Sequence, residues 1–127
     1  MEQILAFGLT EDEYAKLEGL FFPLRIRTKK IPAVFYSRNL RELVSMSAQD
    51  LASPKAEDLK RSMAYGKITG KLLLFCELSD ARLDQVLDVL RPSSLTVDYK
   101  AILTPTNKDW NVALLMAEMA REKAALV

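Results

Sequence analysis

Histidine is absent from this chain of 127 residues. That removes the commonest general base near neutral pH, the commonest zinc ligand, and every Ser/His or Cys/His nucleophile pair. Any catalysis would have to rest on Asp, Glu, Lys, Tyr or Cys. Cysteine occurs once, as Cys76, so an intramolecular disulfide is excluded and a reducing cytoplasm is the expected setting. Flanked by Phe75 in an apolar run, Cys76 reads as a buried, inert thiol. Long apolar runs are missing too. The longest, around "KLLLFCEL", falls far short of the ~20 residues needed to cross a bilayer, and no membrane partner is expected. The opening "MEQILAFGLTEDE" has neither the basic nor the long apolar segment of a signal peptide. A charge excess is also lacking: 18 Lys and Arg face 17 Asp and Glu, for a formal net charge of +1. The overall field would neither gather nor repel nucleic acid.

What is present is a packable composition, 50% hydrophobic and 28% charged, enough for one domain over 1–127. Short apolar runs alternate with capped, periodic stretches. "ILAF" predicts a strand, and Thr10 with Glu13 forms a capping box before a helix carrying Tyr14, Leu17, Leu20 and Phe21, closed by Pro23. "PAVFY" predicts a second strand, after which Ser37 caps a helix with Leu40, Leu43 and Val44. The order then returns. "KLLLFCEL" is a strand, Ser79 an N-cap, and Leu83, Val86, Leu87 and Leu90 an apolar face ended by Pro92. "YKAIL" is a further strand, and Asn107 or Thr106 caps a helix beginning near Trp110. Thr10 and Ser79, Tyr14 and Leu83, Phe21 and Leu90, and Pro23 and Pro92 each lie 69 residues apart, while Ala33 and Ala101 lie 68 apart. The spacing predicts an α/β fold of two similar βαβα halves, 1–52 and 69–127, sharing one four-stranded sheet covered by helices. A linker helix over 53–66, capped by Ser53 and stopped by Gly66, would join them. Periodicity leaves open whether the sheet is ferredoxin-like or an open sheet with the halves side by side.

From Leu72 to Met119, and above all in "KAILTPTNKDW", the chain resembles a family of small bacterial proteins known only as a domain of unknown function. An apolar strand, an S/T-capped helix and a T-x-T-N-x-x-W stretch recur there. The resemblance implies a prokaryotic cytoplasmic setting and no particular activity. The first half departs from the pattern, with Ser37, Asn39 and Leu40 near the Thr106, Asn107 and Trp110 positions.

Few constellations point to chemistry. "GKITGK" fails as a phosphate loop: its glycines are too close, Leu72 replaces the metal-facing Ser/Thr, and the segment leads into a strand. Asp80, Asp84 and Asp88, with Glu77 before them, could hold a hard cation, but they are better read as the polar side of an amphipathic helix; no metal site and no cofactor is expected. Two binding candidates remain. Thr104, Thr106, Asn107, Asp109 and Trp110, with Lys108 beside them, could present donors to an anion at a helix N-terminus, as an enzyme or anionic-ligand binder would. Alternatively the loop simply ends a strand and caps a helix. The stretch 25–41 contains Arg25, Arg27, Lys29, Lys30, Arg38 and Arg41 and no acid. It could hold phosphates, with Tyr36 stacking on a base, or could only protect an edge strand; nucleic acid is not the expected partner. In the last helix, Trp110, Leu114 and Ala117 are assigned to the core, leaving Leu115, Met116 and Met119 as an apolar patch that predicts a homodimer. The expected function is a non-enzymatic binding or regulatory module acting as a homo-oligomer.

Overall fold

The structure, a computed structural model, describes residues 1–65 and 68–125. Its strands are β1 (Gln3–Phe7), β2 (Arg27–Lys30), β3 (Leu72–Cys76) and β4 (Tyr99–Ile102). Its helices are α1 (Glu11–Phe21), α2 (Leu40–Ser45), α3 (Ala48–Ala52), α4 (Ala56–Tyr65), α5 (Asp80–Leu90) and α6 (Val112–Ala125), with a 3-10 turn at Ala33–Phe35. The class is α/β with one open four-stranded sheet in the order β2-β1-β3-β4. β1 pairs with β2 and β3 with β4 in parallel, and β1 meets β3 antiparallel in the centre. The interleaved ferredoxin-like alternative is therefore not adopted. The central strands are buried at every position, as expected of near-continuous apolar runs covered on both faces.

Side-chain alternation divides the core in two. Ile4, Ala6, Leu73 and Phe75 face Leu17 and Phe21 of α1 and Val86 and Leu90 of α5. Leu5, Phe7, Leu72, Leu74 and Cys76 face the opposite layer, where Phe35, Leu40, Leu43, Val112, Leu115 and Met116 cover them. The capping box of Thr10 and Glu13 starts α1, and the Ser79 hydroxyl accepts from the Arg82 amide to start α5. Gln3 lies opposite Arg27, and Leu72 opposite Tyr99, so the two parallel pairs share one register. Gly8, at the end of β1, has φ +79°, and a Cβ there would come 2.2 Å from the Gly70 carbonyl oxygen; only glycine fits that approach.

The expected likeness of the halves fails beyond β2 and β4. "PAVFY" is not a strand. The edge strand is the basic Arg27–Lys30, and Pro32, which has no amide to give a ladder, leads instead into the 3-10 turn. Ala33 is thus no counterpart of the strand residue Ala101. Ser37 does not cap α2, which begins after Asn39, and the Ser37 hydroxyl is buried with no partner among the described residues. The linker helix is α4, shorter than expected, and a separate short helix, α3, precedes it. Ser47 and Asp50 form a capping box for α3, Ser53 closes that helix, and Asp58 accepts from the Lys55 amide at the start of α4. The expected stop at Gly66 lies outside the described residues. The last helix starts at Val112 rather than near Trp110, capped by Asn111, whose Oδ1 accepts from the Leu114 amide at 2.9 Å. That start turns its face: Val112, Leu115 and Met116 are buried and Met119 is half-buried against them, while Leu114 is exposed. The patch assigned to a homodimer is core.

Candidate functional site

The loop after β4 closes on itself. The Asn107 side chain is 7% exposed. Its Oδ1 accepts from the Thr104 amide at 2.8 Å and its Nδ2 donates to the Ile102 carbonyl at 2.9 Å. The Asn107 amide returns to Thr104 Oγ1 at 3.1 Å, the Lys108 amide donates to the Thr104 carbonyl, and the Trp110 amide donates to the Asn107 carbonyl. Asn107 is therefore not the cap of α6, and the loop spends these donors internally. Outward, the loop offers carbonyls to α2: the Leu40 amide donates to Trp110 O at 2.9 Å and the Arg41 amide to Lys108 O at 3.0 Å. Arg41 also pairs with Asp109 at 3.1 Å, and Trp110 packs on the core beneath. Residues 40–41 and 108–110 are docked partners. Thr106 stays exposed beside them.

The basic segment is split by the fold. Lys29 turns under α2, where its ammonium donates to the carbonyls of Leu43, Val44 and Met46 at 2.8, 2.6 and 2.9 Å. It stands at the negative end of that helix dipole, with its hydrogens used, and burial pushes it below the ordinary lysine range. Lys30 pairs with Glu11. Arg38 grips Asp58 of α4 through two bonds, 2.7 and 2.9 Å, with its guanidinium 5.3 Å from the Phe35 ring centre. Tyr36 is not displayed for stacking: its hydroxyl accepts from the Gly8 amide at 2.8 Å, and its ring leans on Phe7. Arg25 and Arg27 are exposed, and among the described residues neither has an acidic partner. Arg25 has φ +57°, an unfavourable backbone state for a side-chain-bearing residue.

Two hollows meet at Arg27. One, of about 540 Å³, is a ledge formed by Phe22, Pro23, Arg25, Ile26 and Arg27, with Phe22 83% exposed. The other, of about 870 Å³, is a groove running along all of β2 between Gln3, Tyr14 and Glu77 on one side and Val44–Ala48, Leu51 and Ala52 on the other. Sequence reading found Arg25 and Arg27 but missed the groove's other wall, since nothing in "VSMSAQDLA" signals proximity to β2. Cys76 is buried and its thiol is pushed up to about 12 by burial, so it is held protonated. Among the described residues, no group of three or more His, Cys, Asp or Glu side chains could hold a metal ion, and no helix is long and apolar enough to cross a membrane.

Comparison with known families adds one likeness. Residues 71–126 match the family model of a domain of unknown function, DUF3783. The match takes in β3, α5, β4, the clamp loop and α6; β2, α2 and α3, which form most of the groove, lie outside it. No curated protein and no solved structure matches the chain.

Proposed function

We propose that the chain is a non-enzymatic binding module that takes an anionic ligand in the groove beside β2. Arg27 carries the reading. It is an exposed cation with no acidic partner among the described residues, set where the groove and the Phe22 ledge adjoin. It leaves the strand edge a positive charge for an anion to neutralise. The loop at 104–110 supports binding only indirectly, by holding α2 in place as the far wall. Citrate and pyrophosphate, titrated into isotopically labelled protein, should move the amide signals of residues 27–30 and 44–48, and Arg27→Glu should abolish the effect. Shifts centred on Thr104 to Trp110 instead would contradict the reading.

Self-association is a second part of the proposal, transferred from α6 to α4. There Asp58, 3% exposed, faces the body, while Leu59 and Met63 stand 53% and 85% exposed. Two copies of α4 laid antiparallel would cover these side chains and bring Glu57 against the partner's Arg61. Met63→Glu should then lower the sedimentation coefficient at high concentration. An unchanged monomer before and after the substitution would dispose of the dimer.

A further inference from the structure

We propose that the occupant of the groove is an extended segment of a partner protein, alternating acidic and apolar residues, added as a new strand on the open edge of β2. The inference rests on the reading of the groove as the ligand site and names the ligand's chemistry. Among the described residues, β2 has β1 on one side and no strand on the other. The Ile31 amide donates to the Ala6 carbonyl, so Lys29 and Ile31 turn their backbone groups toward β1, and the alternation of the parallel ladder turns those of Thr28 and Lys30 outward. The Tyr14 hydroxyl is bonded to Thr28 Oγ1 at 3.2 Å. The Thr28 amide and the Thr28 and Lys30 carbonyls remain for an incoming chain, the main-chain recognition used in strand addition.

The floor adds an acceptor. Gln3 is 6% exposed, lines the groove, and donates its Nε2 to the Val44 carbonyl at 3.2 Å. That bond fixes the orientation of the side-chain amide, and among the described residues nothing donates to its Oε1. As Gln3 lines the groove, that oxygen can accept from a donor side chain of the occupant. Val44, Met46 and Leu51 make the wall apolar, and methionine adapts to varied side chains, while Arg27 selects acid at the strand's end. Single-stranded nucleic acid fits less well, because the only aromatic ring lining the groove is Tyr14, whose hydroxyl is tied to Thr28.

The test uses a capped peptide alternating valine and glutamate, its lysine counterpart, a copy N-methylated on alternate residues, and a short oligothymidylate. The acidic peptide should shift the backbone amide of Thr28 and the side-chain amide of Gln3. It should bind about tenfold tighter than the lysine peptide, a difference carried by rim charge, and should lose binding on N-methylation. Thr28→Pro removes an outward amide from an edge strand, which the fold tolerates, together with the bond to Tyr14, and should abolish binding with other spectral changes confined to β2 and Tyr14. Equal affinity for the N-methylated peptide, unmoved signals at millimolar peptide, or stronger shifts with oligothymidylate would overturn the proposal. Should citrate and pyrophosphate still act at Arg27, the peptide would be rejected and the anion-binding groove kept; silence from all probes would reject both.

Discussion

Asn107 shows how one side chain can look functional and be structural. Its buried carboxamide bridges the Thr104 amide and the Ile102 carbonyl. Replacing it by alanine leaves a part-buried donor and acceptor unmet, and Asn107→Ala should cost about 1–2 kcal/mol in chemical denaturation. Asn111→Ala, the loss of the true cap, should cost about 1 kcal/mol. Lys29 is a parallel case. Lys29→Met keeps the length but strips three carbonyl partners from the end of α2, and should destabilise by about 1–2 kcal/mol. Asp58 sets a pH dependence. The Arg38 guanidinium holds its carboxyl below the ordinary value, so the native state favours the charged form. The resulting stability is complete above the ordinary carboxylate pKa and is lost as pH falls through the depressed one. The contact between α4 and the 3-10 turn should therefore weaken below about pH 4, followed by hydrogen exchange of α4 amides, and Asp58→Asn should flatten the dependence.

At the scale of elements, legibility followed local chemistry. β1, α1, β3 and α5 were readable because cap, period and proline stop coincide within a dozen residues: Thr10 with Glu13 before α1, Ser79 before α5, and Pro23 and Pro92 just beyond. β2 was misplaced because a charged edge strand, RTKK, is less apolar than "PAVFY" beside it, and the pairing with β1 that makes it a strand is not local. The turned face of α6 follows from its cap: Asn107 and Asn111 are both good caps in sequence, and only the loop's closure through Ile102 decides between them. Tight contact between elements gives a further expectation. Gly8→Ala would force a Cβ onto the Gly70 carbonyl at a positive φ, and should cost more than the ~1 kcal/mol of an ordinary left-handed alanine, read as a lowered melting temperature.

Over the whole molecule, the candidate site was half legible. Arg25 and Arg27 stand out in a segment without acids, but the fold sends Lys29 under α2 and Lys30 to Glu11, and brings in Val44 to Ala52 as the facing wall from another layer. The central claim is that binding belongs to this groove and that the 104–110 loop is the clamp holding its wall. Affinity for citrate and melting temperature, measured together for Arg27→Glu and Asn107→Ala, test it most directly. The account predicts lost binding with an unchanged melting point for Arg27→Glu, and a lowered melting point with affinity retained below the transition for Asn107→Ala. Binding that survives Arg27→Glu and vanishes in a fully stable Asn107→Ala protein would contradict it.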